Sequence, residues 1–187
     1  MVRAYDPGRA VPEAALTAVL EAALRAPSAG FTQGVSLLVL SEPDQRAAFW
    51  QLAGPGADSA WLRGIRTAPV LIMVWTSERA YLDRYAEPDK GWSDRDPDRW
   101  SAPYWFVDAG MAVMAALLAA VDAGLGACFF GVPPDRQEQV RAGFGVPSEQ
   151  LSVGVISLGY PAGPQPPGSP ARRRRLSPGE RIHREAW

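Results

Sequence analysis

Few side chains in this sequence belong to the types that carry nucleophilic, acid–base or metal chemistry. The chain has one histidine, His183, and one cysteine, Cys128. The cysteine follows a long apolar stretch, where burial keeps a thiol protonated and inert. His183 lies near the C-terminus, where it could complete a catalytic dyad or, as is more common, stabilise an interface. No His, Asp or Glu cluster has metal-ligand spacing, so no metal site is predicted.

The groups suited to an anionic ligand are arginines near the two ends of the sequence. Arg3 is close to the N-terminus, and Arg173 and Arg175 belong to a run of four arginines. Guanidinium groups bind phosphate oxygens through forked pairs of N–H donors. Taken alone, the run is equally typical of a solvated basic tail or a nucleic-acid patch. The sequence has no GxGxxG or GxxxxGK[ST] loop, which argues against the common dinucleotide and triphosphate cradles.

Length and composition predict a single soluble domain. The 187 residues are 47% hydrophobic and 21% charged, which suits one packed core. A net charge of −1 offers no general attraction to polyanions, so nucleic acid is not an expected partner. The N-terminus has no signal-peptide pattern and the chain has one cysteine, which favours the cytoplasm. The longest apolar run, Ala109–Val121, is shorter than the roughly 20 residues that cross a bilayer, so no membrane partner is predicted.

Hydrophobic periodicity predicts an α+β domain in which helices flank a small, mostly apolar sheet. The predicted strands are 35–40, 68–75, 127–132 and 152–158, and the predicted helices are 13–26, 43–52, 103–124 and 135–142. The 103–124 helix is apolar on nearly every face, which predicts burial on all sides, in part by a second subunit. Asp108 near its start is expected to bond a nearby amide or arginine.

Two segments do not follow these periodic patterns. Residues 78–102 mix charges with Tyr and Trp and contain two prolines, which predicts an irregular excursion, or lid, over the core. Residues 161–187 begin with five prolines between Pro161 and Pro170, which predicts an extended linker that leads into a basic C-terminal arm.

Four motifs in series resemble the nitroreductase family of flavin enzymes, in an order and spacing that cover almost the whole chain. They are Arg3-Ala4-Tyr5, APSAGFTQ at 26–33, YWFVDAGMAVMAALLAAVDAGLGACFFGVP at 104–133, and SLGYP followed by RRRR and HREAW. The resemblance implies a homodimer of single α+β domains with a mostly antiparallel sheet and a long central helix. It also implies an FMN site at each end of the subunit interface and a C-terminal arm exchanged with the partner.

The resemblance also implies which residues contact FMN. Arginines 3, 173 and 175 match the phosphate-binding positions, and the 27–33 turn matches the segment that reaches the partner's flavin. Phe130 and Gly131 match the backbone beside the reactive edge of the ring, where glycine suits a close approach. The cofactor-binding candidates are therefore Arg3, Pro27, Ser28, Ala29, Phe31, Gln33, Phe130, Gly131, Arg173 and Arg175. Without the family, Ser28 could simply end a helix and Phe130 could be a core residue.

The sequence departs from the family pattern at two places. Phe31 stands where the family usually carries an asparagine, so an amide that would bond the flavin is replaced by a ring. The family's Arg-Arg-Ser before Val-Arg does not precede Val2-Arg3. Either the remaining arginines hold the phosphate alone, or the true start lies upstream of Met1. Both explanations of the N-terminal departure imply weaker FMN retention, and the ring of Phe31 implies a change in cofactor affinity or in the shape of the substrate site.

The activity that the resemblance implies is ping-pong reduction of nitroaromatic, quinone or related planar acceptors by NADPH or NADH. Hydride transfer would occur at flavin N5, so no side chain is assigned as catalytic. The lid would stack on the acceptor, with Tyr81, Trp92, Trp100 and Tyr104 as candidates. Two alternatives stay open: an FMN-dependent dehydrogenase or oxidase of a biosynthetic pathway, and a non-catalytic flavin-binding or interaction protein.

Overall fold

A computed structural model describes residues 1–54, 59–165 and 173–187. It confirms the α+β class. The helices are α1 (Glu13–Leu24), α2 (Pro43–Leu52), α3 (Ala60–Ile65), α4 (Glu78–Tyr85), α5 (Tyr104–Asp122) and α6 (Gln137–Gly143). The strands are β1 (Val35–Leu40), β2 (Val70–Thr76), β3 (Gly126–Phe130) and β4 (Leu151–Gly159). All four predicted strands and the four predicted helices are present, with ends shifted by a few residues.

The strands form one antiparallel sheet in the order β1-β2-β4-β3. The central strand β2 is buried on both faces. Its alternate residues Val70, Ile72 and Val74 pack with α1 and α5 on one face. Leu71, Met73 and Trp75 pack on the opposite face with Phe49 of α2 and Ile65 of α3. The sheet therefore separates two hydrophobic cores.

The N-terminal residues extend the sheet beyond β3 and join the start of the chain to its later part. The Val2 amide donates to the Ala127 carbonyl at 3.1 Å, and Tyr5 pairs with Pro161. The Tyr5 hydroxyl is buried and lies 2.8 Å from Ser157 Oγ. The Gln165 side chain forms hydrogen bonds with the backbone of Arg3 and Ala4, which fixes this segment in place.

Within a single chain, helix α5 is buried on one side only, and the predicted cover by a second subunit stays a prediction. One face packs against α1 and the sheet, with Asp108, Ala112, Val113 and Ala116 buried. The opposite face is exposed and apolar, and it carries Phe106, Val107, Met111, Met114, Leu118 and Val121. Within the described residues, α5 alone has a length and hydropathy that would suit a membrane span, although it also forms part of this core.

The prediction of an irregular segment from residue 78 was wrong for its first eight residues, which form α4. The Ser77 side chain accepts a hydrogen bond from the Ala80 amide and caps this helix. The short helix α3 was not predicted at all, and Ser59 caps it in the same way. Both helices are too short to show a clear apolar period, so only their caps could have revealed them.

The described part of the C-terminal arm is exposed at every residue from 173 to 187. A capping box between Ser177 and Glu180 organises a short turn there, and Arg174 pairs with Glu180 at 2.6 Å. His183 stacks on Trp187 with ring centroids 4.2 Å apart. Residues 166–172 of the predicted proline-rich linker lie outside the part of the chain that the structure describes.

Candidate functional site

The turn after α1 has an unusual backbone that projects side chains outward. Residues Ala29–Phe31 form a 3₁₀ turn, and Gly30, Phe31 and Gln33 all have positive φ angles. The Gln33 backbone N–H donates to Ser28 Oγ at 2.9 Å, which closes the turn. The hydroxyl proton of Ser28 is left available to a ligand. The Phe31 ring is 74% exposed. A left-handed conformation at a large side chain is uncommon and marks functional turns.

A first cleft, of about 180 Å³, opens beside this turn. Pro27, Ser28 and Gln33 line one side, and Asp108 and Ala112 of α5 line the other. Asp108 is 3% exposed, and its Oδ2 atom accepts a hydrogen bond from the Ala29 amide at 2.8 Å. The expectation that Asp108 bonds a nearby amide is therefore confirmed.

A second cleft, of about 240 Å³, lies at the end of β3 and is walled by aromatic rings. Phe130 and Gly131 form one edge. Trp50 of α2 stacks on Phe130 with ring centroids 5.7 Å apart, and Trp61 of α3 meets Phe130 edge-on at 5.8 Å. A Cβ atom placed on Gly131 would meet no atom within 4 Å, so the backbone here faces open space. A flat apolar molecule fits such a cleft, with the backbone at one edge.

Phe129 behaves differently from its neighbour and points to the opposite face of the sheet. Its ring packs with the α1–α5 core and fills the space over Gly154, where a Cβ atom would lie 2.5 Å from the ring. Of the two adjacent phenylalanines, only Phe130 lines the second cleft. Successive side chains along β3 point to opposite faces of the sheet, so Phe129 and Phe130 lie on different sides.

Arg3 lies on the same side of the sheet as the second cleft. Its carbonyl packs directly against Gly64 of α3, the helix whose Trp61 and Leu62 line that cleft. Arg173 and Arg175 are exposed on the C-terminal arm. The structure therefore brings Arg3, Phe130 and Gly131 to one face of the sheet, and it leaves the other two arginines away from the domain core.

The two clefts lie on opposite faces of the sheet and share no residue. Pro27, Ser28 and Gln33 belong to the first, and Phe130 and Gly131 belong to the second. The residues that the resemblance assigns to the partner's flavin and those that it assigns to the chain's own flavin therefore lie apart within one chain.

Residues 78–102 form a cluster of interlocking rings. Trp100 lies at its centre and contacts Tyr81, Tyr85, Trp92 and Tyr104, with centroids between 4.4 and 5.9 Å apart. Trp92, Trp100 and Tyr104 are half-buried and keep part of their surface accessible. Tyr81 is fully buried, so in this conformation it offers no ring face to a ligand.

Burial keeps one thiol and two phenolic hydroxyls of the described residues protonated. Burial raises the pKa of the Cys128 thiol, and it raises the pKa values of the Tyr5 and Tyr81 hydroxyls. Tyr81 additionally donates to Asp108 at 2.8 Å, which raises its pKa further. Among residues 1–54, 59–165 and 173–187, no group of three His, Cys, Asp or Glu side chains is arranged to hold a metal ion.

Sequence reasoning missed the aromatic walls of the second cleft. Phe49, Trp50 and Trp61 come from α2 and α3, which are far from Phe130 in sequence. Phe49 and Trp50 are adjacent in α2, and their sequence does not indicate which ring faces a ligand.

The small antiparallel sheet has an aromatic cleft at the end of β3 and an apolar central helix against one face. The family model for the nitroreductase family matches residues 1–160. This chain belongs to the nitroreductase family, whose members are oxidoreductases.

Individual relatives agree with this assignment. A Methanothermobacter thermautotrophicus protein, provisionally named NADH dehydrogenase/NAD(P)H nitroreductase, is 31% identical over 188 residues, which cover 100% of this chain and 82% of the relative. A Thermus thermophilus protein named NADH dehydrogenase is 30% identical, with 81% of this chain and 78% of the relative covered. A structure from Exiguobacterium sibiricum, provisionally named nitroreductase and solved with FMN, has a TM-score of 0.76 at 20% identity and covers 98% of this chain and 92% of its own.

Proposed function

We propose that this protein is an FMN-dependent oxidoreductase that uses NADPH or NADH to reduce nitroaromatic, quinone or related planar acceptors by a ping-pong mechanism. The observation that supports this most directly is the second cleft. Its aromatic walls are apolar and flat, and at Gly131 the backbone is open to a close approach. An isoalloxazine ring needs a dry slot of this kind with backbone groups at its edge.

Arg3 is the proposed contact to the FMN phosphate within the domain core. The Arg3 backbone amide donates a hydrogen bond of 2.7 Å to Gln165 Oε1, so the backbone that carries the guanidinium is fixed. Arg173 and Arg175 would add to the phosphate site once the C-terminal arm docks. A charge-assisted fork of N–H donors suits a phosphate dianion, whereas the aromatic cleft supplies no charge of its own.

A second copy of this chain is the proposed partner, and it would complete each site. The exposed apolar face of α5 runs along the helix through Met111, Met114 and Leu118, and it borders the first cleft. A large apolar face is unusual on a soluble monomer and marks an interface. A two-fold dimer would place the 27–33 turn of one chain beside the aromatic cleft of the other, and the arm would wrap the partner.

FMN, when bound, supplies the redox chemistry by accepting two electrons from the nicotinamide and passing them to the acceptor. The protein's own residues bind, orient and exclude water. Phe130 and Trp50 would cover the ring, and the Ser28 hydroxyl has a proton free to donate to the ribityl chain. Trp92, Trp100 and Tyr104 would contact the planar acceptor. No side chain is required as an acid or base at this site.

Location follows from the same features. We place the protein in the cytoplasm, without a membrane or nucleic-acid partner, because α5 packs into the core by one face and the net charge is −1.

The first experiment is an absorbance spectrum of the purified protein after FMN has been added and unbound FMN removed by desalting. We expect a retained flavin spectrum, anaerobic bleaching by NADPH or NADH, and recovery of colour when a quinone or nitroaromatic is added. Retained flavin that neither nicotinamide bleaches would favour the dehydrogenase or oxidase alternative. A protein that retains no flavin at any FMN concentration would contradict the proposal and leave the interaction-protein alternative.

A further inference from the structure

The 27–33 turn is held to the domain by one buried carboxylate. Asp108 lies in the first turns of α5, and its Oδ2 atom accepts two hydrogen bonds of 2.8 Å. One comes from the Ala29 amide in the turn, and the other comes from the Tyr81 hydroxyl in α4. A single buried oxygen therefore joins three elements that are distant in sequence.

Helix α4 packs closely against this turn and the residue after it, at two glycines. A Cβ atom on Gly30 would lie 2.6 Å from the Tyr85 ring, and one on Gly34 would lie 2.5 Å from the Tyr81 ring. The Arg84 Nε atom also donates to the Gly30 carbonyl at 2.8 Å. The turn and α4 thus form one packed unit, and Asp108 fastens this unit to the core.

We propose that Asp108 is a positioning residue, which sets the backbone of the 27–33 turn through the Ala29 amide and couples it to the aromatic segment through Tyr81. The use of this turn as a flavin contact rests on the function proposed above. Ser28 and Ala29 flank the bonded amide, so a shift of that amide moves both. Acceptor contacts around Trp100 and flavin contacts at the turn are therefore linked through one carboxylate.

The geometry distinguishes this role from a requirement for negative charge. Both hydrogen bonds meet the same oxygen, and one amide oxygen has two lone pairs. Asp108→Asn can therefore accept both bonds, whereas Asp108→Ala can accept neither. Tyr81→Phe removes only the bond from α4 and keeps the bond from the turn.

The first test is amide hydrogen exchange of the protein without FMN. We expect the Ala29 amide to be protected in the wild type and in Asp108→Asn, and to exchange at least about tenfold faster in Asp108→Ala. Asp122→Ala is the matched control, because Asp122 is exposed on the same helix. Protection that survives in Asp108→Ala, or that is lost equally in Asp108→Asn, would overturn the proposal.

The second test measures FMN dissociation constants by fluorescence quenching and steady-state kinetics of the loaded enzyme. We expect Asp108→Ala to raise the FMN Kd by about tenfold and Asp108→Asn to restore it. Tyr81→Phe should raise the acceptor KM with little change in FMN Kd. If the wild type binds no FMN while the exchange results hold, the proposed function fails and the positioning role stands. An Asp108→Ala protein that binds FMN with unchanged Kd would contradict a role in the flavin contact.

Discussion

Trp50 and Phe130 lie face to face, with ring planes inclined by only 10° and centroids 5.7 Å apart. One ring comes from α2 and the other from the end of β3. Their contact therefore sets the width of the second cleft from two independent elements. Stacked rings also resist rotation, so the wall is in place before a ligand arrives.

Replacement of Trp50 tests the cleft as the flavin slot. We expect Trp50→Ala to raise the FMN Kd about tenfold, equivalent to ~1.4 kcal/mol, because the wall beside Phe130 loses its support. Trp50→Phe keeps a ring at this position and should retain most of the affinity. Fluorescence titration with FMN gives both values. Equal FMN affinity in the alanine variant and the wild type would place the flavin elsewhere.

A substitution at Gly131 can distinguish a ligand contact from a role in packing. A Cβ atom there meets no protein atom within 4 Å, so we expect Gly131→Ala to change the free energy of unfolding by less than about 0.5 kcal/mol. The added methyl would nevertheless meet a flavin edge, and FMN affinity or the rate of reduction by nicotinamide should fall. Thermal unfolding without FMN and anaerobic stopped-flow absorbance measure the two effects. Unchanged reduction kinetics would argue that no ligand approaches this backbone.

Arg3 is expected to act on the phosphate and not on the ring. Arg3→Gln should raise the Kd for FMN by about tenfold or more and leave the Kd for riboflavin unchanged, since riboflavin has no phosphate. Arg25→Gln is the control, because Arg25 is an exposed arginine on α1 that pairs with Glu21. Equal losses for both flavins would mean that the substitution disturbs the fold around Gly64.

The apolar face of α5 predicts a dimer that a single charge can break. Met114 is 53% exposed at the middle of this face, and burial of an unpaired carboxylate is costly. We expect Met114→Glu to convert the dimer to a monomer in light scattering and to lose FMN at the same time. Gln45→Glu adds the same charge to an exposed position on α2 and should change neither property. A Met114→Glu dimer with normal FMN content would contradict this interface.

Buried hydroxyls and the thiol predict a loss of stability at alkaline pH. Burial raises the pKa values of Cys128, Tyr5 and Tyr81, so the folded protein retains protons that the unfolded chain releases. The free energy of unfolding should fall as the pH rises above about 8.5, because the unfolded state binds fewer protons there. Urea unfolding at several pH values measures the slope. A stability that rises between pH 9 and 10.5 would contradict the burial of these groups.

Periodicity predicted the strands and the long helices because each buries an apolar face or run that sequence alone reveals. The 78–85 helix was missed because eight residues are too few to show a clear apolar period. The sequence did not show which face of α5 the core covers, since an apolar residue reads the same whether a core or a partner covers it. In the site, the turn and Gly131 follow from motifs, whereas the Trp50 and Trp61 walls depend on tertiary packing that no local pattern encodes.

The Gln165 side chain connects to Arg3 across 162 positions of the chain. During synthesis the ribosome adds roughly 5–20 residues per second, so Arg3 emerges many seconds before the residue that fixes it. The backbone at Arg3 is therefore not fixed until Gln165 has been synthesised. A nascent chain that ends before Gln165 would therefore carry the aromatic cleft without a fixed Arg3 backbone beside it.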